Sequence, residues 1–341
     1  ATIANPSSFV AINAGLQPVY RSSVEWGDFD SDGDLDLLMV GTDDTQNYAK
    51  IYRNERSDGS DVFVDVTAAG LQAVINGPVT WGDYDNDGDL DVLLTGYDGG
   101  STNFSILYRN EGGGAFSDIG LDLVPMGSGS VDWGDYDNDG DLDILMTGWN
   151  GTTSYAFIYR NDDGNFVDIE AGLPGVRTGS CLWGDYDNDG DLDLLLSGWN
   201  GTDGFTQIYN NDEGVFLDIN AGLAIVNGSA AWGDYDSDGD LDLISTGYET
   251  GDPYSTYLYR NDNSNFVEVN AGLPGVSQSS VAWGDYDNDG DLDLLLNGWD
   301  GTNRQTDIFQ NNAGAFTAIN AGLPAVRAGA LAWADYDNDG D

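Results

Sequence analysis

A single eleven-residue stretch, Trp-Gly-Asp-Tyr-Asp-Asn-Asp-Gly-Asp-Leu-Asp at 133–143, returns in close copies along the whole chain. The tryptophans that open the copies are Trp26, Trp81, Trp133, Trp183, Trp232, Trp283 and Trp333, with steps of 55, 52, 50, 49, 51 and 50 residues. A seven-membered repeat of this length restricts the chain to a stacked or closed array. Each unit must bury its apolar faces against its neighbours, whatever the total length would otherwise suggest.

Within a copy the carboxylates fall at alternate positions. Asp135, Asp137 and Asp139, then Asp143 beyond a glycine, can meet at one point only if the backbone curls, and Gly140 permits the curl. Oxygens gathered in this way suit a hard divalent cation. The first half of the pattern resembles an EF-hand calcium loop, but Met146 stands where that loop needs a bidentate Glu. The flanks 131–133 and 142–146 read as strands, so the expectation is a calcium loop inside a β-hairpin. The candidate ligands are Asp28, Asp30, Asp32, Asp34 and Asp36 in repeat one, and Asp83, Asp85, Asp87, Asp89 and Asp91 in repeat two. Repeat three supplies Asp135, Asp137, Asp139, Asp141 and Asp143; repeat four supplies Asp185, Asp187, Asp189, Asp191 and Asp193. Asp234, Asp236, Asp238, Asp240 and Asp242 follow, then Asp285, Asp287, Asp289, Asp291 and Asp293, and finally Asp335, Asp337 and Asp339. The competing reading is a set of solvated acidic turns.

Charge enters at this point. Lys+Arg total 10 against Asp+Glu 60, a formal charge of −50 that repels nucleic acid and anionic membranes. Such acidity can mark disorder, but 40% of the residues are apolar, 12% are aromatic, and 34 of the 60 acids sit inside the seven loops. Metal can neutralise that charge locally. Without it each loop holds several carboxylates in mutual repulsion, so the fold should depend on the ion. Cys181 is alone, which excludes an intramolecular disulfide and leaves cysteine usage silent on compartment. Calcium loops suit an extracellular, secreted or cell-surface setting, where the ion is abundant. No run has the length of a membrane-spanning helix, and the first residues do not read as a signal peptide.

Repeat four shows the unit in order. A short strand over 178–185 ends in Trp-Gly-Asp, the loop 185–193 follows, and 192–197 is an apolar run that suits a buried strand. Residues 198–202 turn the chain, a third strand carries 207–210, a turn near Gly214 reverses it, and 215–220 is a fourth strand. Four short antiparallel strands per unit describe a propeller blade, with a solenoid as the competitor. The expected architecture is an all-β, seven-bladed β-propeller, one domain over 1–341. Residues 9–16 match the fourth strand of a unit, as at 316–323, and 2–5 read as a degenerate third strand. The seventh copy stops at Asp341 inside its loop. The expectation is therefore a last blade split between the two ends, closed by a strand near 9–14 and incomplete. A chain that continues past Asp341, into other domains, fits this pattern.

The unit resembles the FG-GAP/VCBS repeat of integrin α-subunit propellers and of many bacterial surface and secreted proteins, over nearly the whole chain. The resemblance implies a calcium loop between the first and second strands of each blade. Side chains at loop positions one, three, five and nine would ligate, with the backbone carbonyl at position seven. In repeat three these are Asp135, Asp137, Asp139 and Asp143, with the Asp141 carbonyl. The resemblance thus implies calcium at about six complete sites, with a seventh left incomplete because its ninth position lies beyond Asp341. The family signature is altered here to Trp-Gly before the loop and Gly-Trp or Gly-Tyr after it.

Aromatics recur directly after the second strand, at Tyr97, Trp149, Trp199, Tyr248 and Trp299. They fall at the end of the blade opposite the acidic loops. There they could stack on sugar rings, or simply cover the gaps between blades. Arg21, Arg177 and Arg327 precede the next tryptophan and fall on the same rim, where they could meet an acidic sugar or a protein carboxylate. Arg53, Arg109, Arg160 and Arg260 read instead as partners for neighbouring acids. With no histidine, a single Lys50 and no base partner for Cys181, histidine-based catalysis is excluded. The expectation is a recognition or adhesion module for a glycan or an extracellular protein, without nucleic-acid binding or membrane insertion. Resemblance to calcium propellers among polysaccharide lyases makes a carbohydrate-active enzyme the alternative, and a structural spacer in a larger surface protein a third reading.

Overall fold

The computed structural model describes residues 9–55, 62–66, 69–249 and 251–340. Among them stand six four-stranded antiparallel sheets, each following chain order, over 20–65, 79–118, 131–168, 181–218, 230–269 and 277–318. In the fourth blade the strands are Cys181–Gly184, Asp193–Trp199, Gly204–Asp212 and Val215–Asp218. The second strand is buried along its length until Trp199, because another blade covers each of its faces.

Strand alternation assigns those faces. Leu194 and Leu196 join Leu145 and Ile158 of the third blade, whereas Leu195 joins Leu243 of the fifth. The second strands of the second to fifth blades each contribute to two interblade cores in this way, whereas Leu37 and Met39 of the first blade pack with Tyr52, Trp26 and Phe63 of their own blade.

The Trp-Gly pair locks these interfaces. Trp183 stacks on Tyr136 of the preceding blade at 5.8 Å and 9°, and Phe216 of the fourth strand tilts against both rings. The indole also covers Gly134, where an added Cβ would lie 2.7 Å from Trp183 Cδ1. Only glycine leaves room for the next blade's tryptophan.

The expected count of seven blades is corrected to six. The seventh copy keeps its loop but forms no strand over residues 331–340, and 9–14 form none either. A first strand needs a second to pair with, and a fourth needs a third. Neither partner exists for these segments among the described residues, so their backbones have no ladder to join. The ring contacts persist without the sheet. Phe9 lies 6.2 Å from Tyr286 and 6.5 Å from Trp333, as Phe316 lies against Tyr235 and Trp283, and Phe63 of the first blade reaches Tyr336 at 6.3 Å. The expected strand at 2–5 lies outside the described residues. No helix among the described residues is long and apolar enough to cross a membrane.

Candidate functional site

Each of the first six acidic loops joins a first strand to a second. In the third blade these are Val131–Gly134 and Asp143–Trp149. Asp135 closes the curl, its two oxygens accepting the N–H groups of Asp139 and Gly140 at 2.9 and 3.0 Å, and Gly140 takes φ +98°. Asp143 is fully buried and accepts from Tyr136 N and Asn161 N at 3.1 and 2.8 Å.

The curl gathers carboxylates as the alternation requires. In repeats two to five, positions one, three and nine each bring an oxygen within 4.8 Å of the others: Asp83, Asp85, Asp91; Asp135, Asp137, Asp143; Asp185, Asp187, Asp193; and Asp234, Asp236, Asp242. In repeat one the group is Asp28, Asp30 and Asp32. These clusters could hold metal ions.

A direct test of fit is whether any ligand atom lacks a partner. The Oδ1 atoms of Asp30, Asp85, Asp187, Asp236 and Asp287, all at position three, are buried without a hydrogen-bond donor. The other oxygen is often engaged, by Arg109 in loop two (3.4 Å) and by Asn210 in loop four (3.0 Å). A buried carboxylate oxygen without a donor is costly, and a cation at the centre of the loop would satisfy it. Burial pushes the position-nine carboxyls of Asp36, Asp91, Asp143, Asp193 and Asp242 up to about 7, and that of Asp293 up to about 6. Position three is raised as well, by desolvation and then by the position-five carboxylate. A bound cation opposes both effects. The residues fit a hard, oxygen-seeking ion.

Position seven serves a different purpose from its neighbours. The Asp141 side chain accepts from Asn86 Nδ2 of the preceding loop at 2.9 Å and from Asp163 N at 2.9 Å. Asn138 repeats this contact to Asp191, and Asn188 to Asp240, each at 2.9 Å. Asn338 of the seventh copy reaches Asp34 at 3.1 Å. That copy also curls as the others do, Asp335 accepting from Asp339 N and Gly340 N at 3.1 and 2.9 Å.

Sequence spacing alone does not single out the third-strand asparagines, yet they tie loop to blade. Asn54, Asn110, Asn161, Asn211, Asn261 and Asn311 are buried. Asn161 Nδ2 donates to Tyr84 O of the preceding blade at 2.8 Å and to Leu142 O at 3.1 Å, while its Oδ1 accepts from Gly164 N at 2.7 Å. Their only sequence signal is an Asn at one fixed place in each repeat.

Antiparallel pairing puts the turn between second and third strands at the opposite end. Here the charge pattern changes. At the acidic end Arg53, Arg109, Arg160 and Arg260 all have carboxylate partners. At the far end Arg177 lies 4.0 Å from the ring centre of Trp149 and Arg327 lies 4.8 Å from that of Trp299. Neither arginine forms an ion pair among the described residues. Arg304, which opens the third strand of the sixth blade, lies at this end too, although spacing gives it no prominence. Tyr97 and Trp199 are half-buried with no guanidinium over the ring among the described residues, and Tyr248 is exposed. Arg21 lies over Tyr20, at 5.8 Å, and not over a candidate aromatic.

Four segments of the chain, 28–94, 83–146, 185–245 and 234–296, match the family model of the FG-GAP-like repeat. No curated protein matches the chain. Among solved structures, the exotype rhamnogalacturonan lyase YesX aligns over 89% of this chain and 57% of its own, at 16% identity and a TM-score of 0.48. The V. cholerae biofilm matrix protein Bap1 aligns over 95% and 42%, at 16% identity and 0.40. The chain therefore spans less than two thirds of either. The Bacteroides ovatus xyloglucan PUL GH43B aligns over 89% and 71%, at 13% identity and 0.31.

Proposed function

This chain belongs to the FG-GAP-like repeat family, and from that premise we propose that it is an extracellular, calcium-stabilised recognition module that binds a glycan at the end opposite its acidic loops. The observation that carries the reading is the separation of the two ends. Orphaned buried carboxylate oxygens sit at one end, where the arginines are already paired. Aromatic rings gather at the other, with guanidinium groups that form no ion pair among the described residues. Calcium would ligate to positions one, three, five and nine and the position-seven carbonyl, stapling each hairpin and taking no part in ligand chemistry. Such a device suits a calcium-rich exterior. The far rim then presents rigid rings with polar neighbours, which is the chemistry that stacks on pyranose faces and bonds their hydroxyls.

A glycan array probed with calcium-loaded protein tests this. Saturable binding that Trp199→Ala reduces at least tenfold, with the melting temperature unchanged, supports the reading. Binding of neutral glycans that survives Trp199→Ala unchanged, or an array without signal while an extracellular protein is captured saturably, overturns the assignment of a glycan to the rim.

A further inference from the structure

The segment that precedes each first strand converges at the far end. One cavity of about 630 Å³ is bounded in turn by Ser23, Asn76, Ser128, Thr178, Asn227 and Gln278 with their neighbours, and by Ala328 of the seventh copy. Because every repeat contributes the same segment, the cavity lies on the axis. Its size falls within the range of small-molecule sites, roughly 300–1,000 Å³.

Its wall is built in an unusual way. Arg21, Asn76, Ser128, Thr178, Gln278 and Ala328 all adopt left-handed backbone, with φ between +49° and +53°. For Thr178 this is a real strain, since its branched Cβ meets the backbone in that region. Interblade bonds hold the residues there: Asn76 N to Arg21 O (3.2 Å), Ser128 N to Asn76 O (2.5 Å), Thr178 N to Ser128 O (2.7 Å) and Ala328 N to Gln278 O (2.8 Å). The Thr178 hydroxyl donates to Asn227 Oδ1 at 2.9 Å. Repeat five, one residue shorter before its tryptophan, places Asn227 in the ring without positive φ. Strain maintained at the same position in six repeats fixes the shape of the wall, and strained backbone clusters at ligand sites.

The chemistry of the lining is selective. It consists of hydroxyls, amides and bare backbone, with Tyr248, 47% exposed, among the lining residues. Among the described residues no carboxylate lines it, in a chain whose formal charge is −50. Arg21 is the one charged lining residue, exposed and without an acid partner among the described residues.

We infer that this axial cavity binds a single carboxylate-bearing sugar, with Arg21 taking the carboxylate, the Ser, Thr and Asn groups taking the hydroxyls, and Tyr248 offering a ring face. A guanidinium pairs a carboxylate in two parallel bonds, which a neutral sugar cannot return. The inference rests on the reading that this end of the propeller is the recognition face. It names the substrate class for the axis, whereas the rim aromatics could hold a chain of any charge.

The test is calorimetric titration of the calcium-loaded protein with the matched pairs galacturonate and galactose, and glucuronate and glucose. One acid sugar should bind at one site per chain at least about tenfold more tightly than its neutral partner. The difference should shrink as salt rises. Arg21→Gln should abolish the difference without lowering the melting temperature, Arg21→Lys should retain part of it, and Trp199→Ala should leave it intact. Equal affinity within both pairs, no binding of either acid, or discrimination that survives Arg21→Gln would overturn the inference. Where one of these outcomes is found while polymeric glycans still bind and Trp199→Ala abolishes that binding, the axial site falls and the rim reading stands.

Discussion

The backbone N–H of Asn161 donates to Asp143 Oδ1 at 2.8 Å, so that the third strand of the blade holds the last ligand of the acidic loop. The Asn161 amide then crosses to Tyr84 O of the preceding blade. Loop, blade and interface are joined through one residue. Asn161→Ala removes the donor from one buried carbonyl, Tyr84 O, and one half-buried carbonyl, Leu142 O, and we expect a loss of about 1–3 kcal/mol in urea unfolding with calcium present. A change below about 0.5 kcal/mol, the size of an inert surface substitution, would remove Asn161 from this role.

Gly134 makes a prediction about packing alone. A methyl group there meets the Trp183 indole at 2.7 Å, and the indole is already held between Tyr136 and Phe216. Gly134→Ala should therefore destabilise by about 1–3 kcal/mol through overpacking. The same change at a glycine without a ring above it lacks this penalty. Denaturation midpoints that do not move would show that the interface can yield.

These two residues also show how legible the molecule is in its sequence. The Trp-Gly-Asp spacing reveals the repeat, the strand order and the loop carboxylates, because close packing and ion coordination both demand particular residue types. Blade number is less legible. Trp333 counts as a copy by sequence, yet a loop of this kind closes on its own Asp335 and needs no sheet behind it. The axial ring is least legible, since Arg21, Asn76, Ser128, Thr178, Gln278 and Ala328 share a backbone conformation and no side-chain chemistry. Asn161 lies between these cases, its recurrence visible beside the more conspicuous Arg160.

Glu25 gives a pH dependence. It is half-buried beside the first strand of the second blade, where Oε2 accepts from Trp81 N at 2.9 Å, and desolvation there pushes its carboxyl up to about 7. The folded protein then holds this proton more tightly than the unfolded chain. Between the ordinary carboxyl range and pH 7 stability must fall as pH rises, and the full cost is present above pH 7. Glu25→Gln keeps an acceptor for Trp81 and removes the titration. With calcium saturating, the variant should match the parent near pH 5 and melt higher at pH 8. Melting curves that stay parallel across this range would contradict the assignment.

The orphaned position-three oxygens predict that each site is separable. Asp187→Asn keeps the size and a polar contact for Asn210 but removes the charge beside the ion. Calcium stoichiometry should fall by one, and the melting temperature at fixed calcium should drop by a few degrees, as loss of one bound ligand implies. An unchanged stoichiometry would place the ion elsewhere.

The central claim is that calcium at these loops holds the propeller together. Calorimetric titration of chelated protein with calcium, with thermal unfolding followed before and after, tests it most directly. About six bound ions together with a large rise in melting temperature is the predicted result. Binding without stabilisation, or no binding at millimolar calcium, would contradict the account and return the acidic loops to the search for the ligand.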